Sequence, residues 1–389
     1  MASNLDGGGL AVTTIVGEKG PSVRSDIWIE ATDAPRAGYE LETSVEAVYG
    51  RSLRAQIERK LAEFGNPPVH LNVVDSGALP FAVEARVEAV LCAHLNHSLP
   101  AISPRTAQSR GERLRRTRLY VPGNGPKLFP NADLYRPDGL ILDLEDSVAP
   151  DAKFAARALV RRALASLDFG GSERMVRINA GDEGLRDLEA VAPQGVEAVL
   201  VPKADSGDVI REVAAKLDDL GADAVLIPLL ESALAIQNAY AVATASPRVV
   251  ALAIGLEDYA TDIRAERSSE GAESAYAHGV VVNAARAAGV SPLASVFPGV
   301  DDPEAMRVYA RRARSLGFDG VGCIHPRQVR PAHEAFAPSP EEMETARAIV
   351  EGYEKALAEG RGAVSVNGRM VDAPVYERAK TALSRGGQR

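Results

Sequence analysis

The sequence predicts an α/β protein: a (β/α)8 TIM barrel, preceded by a small α+β domain and followed by a helix–hairpin–helix tail. Three observations predict it. Eight short apolar segments recur between residues 118 and 325, with helical stretches in most of the gaps, the pattern of parallel strands joined by crossover helices. Residues 93–115 carry two prolines, several serines and a basic end, with no sustained period of either kind, so they read as a linker. Residues 336–389 change pattern again. An open doubly wound sheet is the alternative reading of the same alternation.

A chain of 389 residues exceeds one ordinary domain and suits two. The expected boundaries are 1–92 for the small domain, 93–115 for the linker, 116–335 for the barrel and 336–389 for the tail. In the small domain SDIWIEA and YELETSV are strand candidates. Leu53, Ile57, Leu61 and Phe64 recur at helical spacing through RSLRAQIERKLAEFG, which ends in glycine. VHLNVVD and FAVEARVEAVL follow, separated by the turn-like SGALP. The barrel strand candidates are RLYV (118–121), GLILDLE (139–145), RMVRINA (174–180), EAVLVPK (197–203), DAVLIPLLE (223–231), VVALAIGLE (249–257), PLASVF (292–297) and DGVGCIH (319–325). APDAKFAARALVRRALASL and SGDVIREVAAKLDDLG exemplify the helices between them. The tail reads as the helix EEMETARAIVEGYEKALAEG, a hairpin in GAVSVNGRMVDAP turned at Asn-Gly, and the helix VYERAKTAL.

Composition narrows the function class. Apolar residues at 46% and charged residues at 25% describe a globular chain. No apolar run approaches the roughly 18 residues of a membrane span. MASNLDGGGLAVTTIVGEKG lacks the basic and apolar regions of a secretory leader. Cys92 and Cys323 stand alone with no CxxC; this argues against a disulfide scaffold or a structural zinc site, and the expected location is cytoplasmic. A formal net charge of −9 disfavours nucleic acid as a partner. An anionic small substrate stays compatible, because the charge inside a pocket decides that.

Catalytic groups of such barrels sit at the C-terminal ends of the strands. Those ends supply Pro122-Gly123-Asn124, then Asp143, Glu145 and Asp146, then Arg177 and Asn179. Lys203, Glu231, Glu257 with Asp258, and His325 follow. Three acids within four residues repel one another, so a metal, a base or a helix N-terminus is expected beside GLILDLEDSV. The inventory holds no Ser-His-Asp arrangement, no GxGxxG and no GxxxxGK[ST]. Its carboxylates suit a hard divalent cation, and Mg²⁺ needs only one or two of them. Singly, each acid serves equally as a cap or a solvated loop residue. Glu231 differs: it follows VLIPLL and precedes the apolar SALAI, and a carboxylate in such surroundings needs a partner.

These residues carry a resemblance. Residues 117–335 resemble the citrate lyase beta subunit and HpcH/HpaI aldolase family through LYVPGN, GLILDLEDSVAPDAK, VRINA, LVPKA, IPLLESA, AIGLEDYATDI, NAARAAGV and IHPRQ, and the tail through GRMVDAP. The resemblance implies a Mg²⁺-dependent carbon–carbon lyase acting on a 3-hydroxyacyl thioester. Citryl-, malyl- or citramalyl-CoA, or a carrier-bound form, would yield a keto acid and a shorter acyl thioester. It implies Glu231 and Asp258 as metal ligands at the ends of adjacent strands, and Arg177 as the holder of a substrate carboxylate or enolate oxygen. It implies Glu145 in the chemistry at the acidic strand end, and Asp372 as a catalytic acid supplied by a neighbouring subunit. Tyr120, Pro122, Gly123 and Asn124 would line the thioester channel, with CoA also near His325, Pro326 and Gln328. By residues alone, Asp372 reads as a cap and His325 as a structural hydrogen-bonding histidine. A trimer or hexamer is implied. A thioesterase or synthase on the same esters, and a carrier or scaffold with an inactive barrel, are the alternatives. His278, Ala294 and Val321 depart from the family pattern, which bears on the substrate and on how CoA is held.

The small domain resembles the citrate lyase acyl carrier (gamma) subunit, and more distantly the malonate decarboxylase carrier subunit, through SDIWIEA, TSVEAVYG and LNVVDSGALPFAVEARVEAVL. This implies a CoA-derived prosthetic group on a serine and a CoA-transferase (alpha-type) partner. Arg24 falls at the expected attachment position, with Ser25 one residue away and Ser22 two. Attachment at Ser25 and a bare docking module are both open.

Overall fold

In a computed structural model the described residues are 13–107, 113–268 and 270–387. Most of the N-terminal stretch read for a leader lies outside them. The small domain is a four-stranded sheet with two helices: β1 (Thr13–Val16), β2 (Ile27–Asp33), β3 (Gly38–Thr43), α1 (Glu46–Glu63), β4 (Val69–Asp75) and α2 (Pro80–Leu95). Strand order is β1-β2-β4-β3, with β3 parallel to β4 and the other pairs antiparallel. The period-2 burial of β2 and β4 places Ile27, Ile29, Ala31, Val69, Leu71 and Val73 on one face, against Leu53, Ile57 and Leu61 of α1. FAVEARVEAVL, placed after a turn-like segment, forms a helix. Pro80 opens it at a position where the absent N–H costs nothing. It is buried nearly all round, because it lies between the small sheet and the barrel.

The barrel strands are β5 (Thr117–Pro122), β6 (Gly139–Asp143), β7 (Glu173–Arg177), β8 (Ala198–Val201), β9 (Val225–Leu230), β10 (Ala251–Ile254), β11 (Ser291–Val296) and β12 (Gly320–Cys323). They pair in chain order, all parallel, and β12 closes onto β5. The helices between them are α3 (Lys153–Ser166), α4 (Gly181–Val191), α5 (Gly207–Asp219), the short α6 (Ala233–Gln237) and α7 (Ala239–Ala243), α8 (Leu256–Asp262), α9 (Ala275–Ala288) and α10 (Pro303–Ser315); α11 (Val329–Phe336) follows β12. Only 3₁₀ turns lie between β5 and β6. There α2 covers the wall instead: Phe81, Ala82 and Ala85 share one apolar cluster with Leu119, Val121 and Phe129, and Phe81 stacks on Phe129 with ring centroids 6.1 Å apart. The small domain thus supplies a helix to the barrel. Ions tie the same seam. Glu88 of α2, wholly buried, accepts from Lys60 of α1 and from Arg161 and Arg162 of α3.

The lumen is filled by Ile141, Met175, Ala198, Leu200, Ile227, Leu229, Ala251, Ala253 and Leu293. The tail is α12 (Pro340–Ala358), the hairpin β13 (Val364–Val366) and β14 (Arg369–Val371), and α13 (Ala373–Gly387). Ser339 and Glu342 form a capping box on α12. Among the described residues no helix is long and apolar enough to cross a membrane.

Candidate active site

A cavity of about 430 Å³ opens at the C-terminal end of the barrel, lined by residues of β5, β6, β7, β9, β10 and β11 and the turns after them. The acidic end of β6 forms one wall. Asp143 stands directly opposite Arg177 in the parallel register. Its carboxylate accepts from Arg177 Nε and Nη2, both at 2.7 Å, a forked pair of charge-assisted bonds. Glu145 lies 2.8 Å and Asp146 3.3 Å from Arg177 Nη1. The cation demanded by three neighbouring acids is therefore a guanidinium. Burial pushes Asp143 upward, but the Arg177 bonds outweigh it and hold the carboxyl below its ordinary range. Glu145 lacks such a fork. Burial pushes it up to about 7; Arg177 pulls it down, while the charges of Asp146 and Asp143 push it up alongside burial. Against burial, the Asp143 bonds raise Arg177 further above its ordinary value. Tyr120 flanks this group, its ring centroid 5.3 Å from the Arg177 Cζ.

The opposite wall carries the two acids expected as metal ligands. Glu231 follows β9 directly and is 4% exposed. One oxygen accepts from the Lys203 N–H at 2.7 Å. Gly255 makes room for the other, since a Cβ there would lie 2.8 Å from Glu231 Oε2. Asp258 is not at a strand end: β10 stops at Ile254, and Glu257 and Asp258 fall in the first turn of α8. The strand reading overran because the chain turns at Gly255 into a helix whose first turn favours acids. Burial pushes Glu231 up to about 8, and the charges of Glu145 and Asp258 push the same way. No group of three His, Cys, Asp or Glu converges as a complete cage among the described residues. Two carboxylates that line one open cavity fit a hard divalent cation that keeps water or substrate oxygens.

The residues expected to bind CoA are dispersed. Tyr120 and Pro122 line the cavity. The Gly123 N–H donates to the Asp143 carbonyl at 2.8 Å, and a Cβ at Gly123 would lie 2.5 Å from that oxygen, so the mouth of β5 closes on β6 only with glycine. The Asn124 carbonyl accepts from Arg86 of α2. His325 accepts the Arg327 N–H at 3.2 Å and caps a 3₁₀ turn that starts at Pro326. Gln328 is buried and its amide is fully engaged: it donates to the carbonyls of Phe297 and Gly299 and accepts from Ile324 and His325. Gln328 therefore holds the β12 exit in shape and offers no group to a ligand; Ile324 faces the cavity in that region. Asp372 is not part of its own chain's cavity lining. It accepts the Val375 N–H at 3.3 Å at the start of α13.

Ser25 sits in the loop before β2, in left-handed backbone with φ 60°. Its N–H donates to the Ser76 carbonyl. The neighbouring Asp26 is buried and takes a fork from Arg86 at 3.0 and 3.0 Å; Arg86 also donates to the Asn124 carbonyl at 3.1 Å. One arginine thus ties the loop of Ser25 to the loop after β5. Residues that strand-end reasoning missed include Arg118, Leu229, Ala253 and Ser295, all in the cavity lining.

The HpcH/HpaI aldolase/citrate lyase model matches residues 116–326, and the malonate decarboxylase delta subunit model matches residues 20–93. The citrate lyase subunit beta of Escherichia coli is 39% identical over 287 residues, covering 72% of this chain and 95% of that protein. A (3S)-malyl-CoA thioesterase of Cereibacter sphaeroides is 34% identical over 259 residues, covering 66% of this chain and 89% of that protein. Among solved structures, CitE from Mycobacterium tuberculosis in complex with magnesium, acetoacetate and coenzyme A superposes with a TM-score of 0.61 at 34% identity, covering 71% of this chain and 99% of that one.

Proposed function

Because the chain belongs to the HpcH/HpaI aldolase/citrate lyase family, we propose that it is a Mg²⁺-dependent carbon–carbon lyase that splits a 3-hydroxyacyl thioester into a keto acid and a shorter acyl thioester. One observation carries the reading: a guanidinium and a pair of metal-suited carboxylates line a single barrel-mouth cavity. The magnesium and coenzyme A held by the CitE relative support it.

Glu231 and Asp258 would hold Mg²⁺, which as a Lewis acid polarises the oxygen on which charge changes. Arg177, aimed by Asp143, binds the acid half of the substrate and faces the negative charge that develops on bond cleavage. Glu145, pushed up to about 7, is poised to take the hydroxyl proton near neutral pH. As that proton leaves, the hydroxyl carbon becomes the keto carbon. The electron pair of the broken carbon–carbon bond passes to the thioester half as an enolate. A proton returned to the enolate carbon completes the shorter acyl thioester. Asp372 of a neighbouring copy is the proposed donor of that proton, in keeping with its place outside its own chain's cavity. Tyr120 and Pro122 wall the thioester side.

The small domain is proposed as a fused acyl-carrier module. Ser25 is the candidate for a CoA-derived prosthetic group, in a loop held at the barrel mouth through Asp26, Arg86 and Asn124. An intact-mass shift abolished by Ser25→Ala tests this. A trimer or hexamer and an alpha-type CoA-transferase partner belong to the same proposal.

The lyase test incubates the full chain and Mg²⁺ with citryl-, malyl- and citramalyl-CoA, with products followed by mass spectrometry. The expected result is a keto acid and a shorter acyl-CoA, lost with EDTA and in Glu231→Ala. Free hydroxy acid and CoA would instead identify a thioesterase, the reading favoured by the malyl-CoA thioesterase relative.

A further inference from the structure

We propose that Arg118 forms a second anion subsite on the floor of the cavity, which takes an additional carboxylate carried by the acid half of the substrate. The proposal rests on the lyase reading above and names the substrate class for it.

Arg118, the second residue of β5, is 2% exposed, yet its side chain lines the catalytic cavity. Along β5, Leu119 and Val121 face the outer apolar cluster, so Arg118, Tyr120 and Pro122 face inward. Arg118 pairs in register with Gly139 on one side and Gly322 on the other, so neither neighbour places a side chain beside it. The absence is enforced at Gly322, where a Cβ would lie 2.6 Å from Val296 Cγ1 and 3.3 Å from Tyr120. Arg118 crosses Gly322 to β11, where the register with β12 slips between Ala294 and Val296, and Nη2 donates to the Ala294 carbonyl at 2.7 Å.

Among the described residues, that one bond to a neutral carbonyl is its hydrogen bonding. Nε and Nη1 are buried with no partner among the described residues. A desolvated cation without a counter-charge is among the least favourable arrangements in a protein. Arg118 is held open for an anion, and the cavity is where one can arrive. The depth is suitable. Leu229, Ala253 and Leu293 pair across β9, β10 and β11, so Ala294 lies one residue short of Glu231's level in sheet register. A ligand spanning Arg177, Glu231 and Asp258 at the mouth therefore reaches Arg118 with a group directed downward past Leu229 and Ala253. Nη2 carries a second N–H beside the one given to Ala294, and with Nε or Nη1 it makes the fork that selects a planar oxyanion, which a carboxylate provides. Keto-acid products with two carboxylates fit this floor; those with one leave Arg118 unpaired.

A free inorganic anion offers the same charge, so the test separates the two sources. Calorimetry would measure binding of freshly dissolved oxaloacetate and of pyruvate to the full chain with Mg²⁺, for wild type, Arg118→Met and Arg118→Lys. The expected result is about tenfold or greater preference for oxaloacetate in the wild type. Arg118→Met should lose that margin while keeping pyruvate affinity, and should melt no lower than the wild type, because it removes an unpaired buried charge. Arg118→Lys should keep part of the margin, and it carries the comparison if the Met variant does not fold. Equal loss of both ligands, or no change in either, overturns the subsite. So does a wild type that ignores the second carboxylate but is thermally stabilised by chloride in an Arg118-dependent way. Neither ligand needs turnover, so a wild type that cleaves thioesters but shows no preference for oxaloacetate sinks this inference alone, and a wild type with that preference but no cleavage sinks the lyase reading alone.

Discussion

Replacing Asp143 with asparagine tests whether the acidic end of β6 exists to aim Arg177. The side chain keeps its shape. Its oxygen can still accept from Arg177 Nε and from the Glu145 N–H, which both converge on Oδ1 at 2.7 and 3.0 Å. The new amide nitrogen then faces Arg177 Nη2, where the carboxylate accepted at 2.7 Å. One charge-assisted bond, worth about 1.5–3 kcal/mol, becomes a donor–donor contact. The guanidinium is still neutralised by Glu145 and Asp146, so it turns toward them rather than being orphaned. Stability should therefore fall by less than the ~3–5 kcal/mol that follows removal of a buried ion's only partner. The activity loss should be larger in proportion, because the position of Arg177 matters most where charge develops. If the full bond energy is felt in the transition state, kcat/KM drops roughly 10- to 100-fold. The assay is thioester cleavage at saturating Mg²⁺, with circular dichroism melts to fix the folded fraction. A folded Asp143→Asn protein with kcat/KM within about threefold of wild type would refute the reasoning, since misaiming Arg177 would then cost nothing.

Two further outcomes are expected. Glu88→Ala removes a wholly buried acid that joins Lys60, Arg161 and Arg162 at the seam between small domain and barrel. It should cost ~3–5 kcal/mol and lower the melting midpoint by roughly 6–12 °C, with Glu88→Gln in between; a shift near zero would mean the seam is held by apolar contact alone. Burial, with Arg312 and Arg267 adding to it and Glu273 opposing, lowers His278 to about 4. A histidine kept neutral in the folded chain contributes stability that is fully present above its unfolded pKa near 6.5 and is lost as pH falls toward 4. Urea titrations across that window should show a decline steeper by roughly 1–3 kcal/mol than in His278→Gln; parallel slopes would exclude His278 as the cause.

The barrel was legible because its strands are short apolar runs separated by amphipathic helices, a pattern few other folds produce. Each of the eight runs overlaps one strand. Their ends were less legible: GLE after β10 continues the apolar run in sequence but turns into α8, because pairing and not hydropathy ends a strand. FAVEARVEAVL shows a related ambiguity. A segment buried on every side has no polar face to reveal its period, and only the two layers around α2 settle its form. Gln328 illustrates the limit of motif reading at the site: a polar residue in a quoted motif can be spent wholly on its own loop.

The sequence by itself determined the fold class, the carboxylate-rich strand ends and the need for a positive partner beside Asp143, Glu145 and Asp146. Those are local properties, written in hydropathy and in like charges too close together. Only the tertiary structure decided which cation answers them, because the partner is chosen by the parallel register that sets Asp143 opposite Arg177. The same holds for Arg118. In sequence it is one more basic residue at the start of a strand. Inside the closed barrel, between two glycines and beneath the catalytic mouth, it is a buried cation with two donors unspent. Neighbours brought together by closing a sheet lie far apart along the chain, and no local pattern records them.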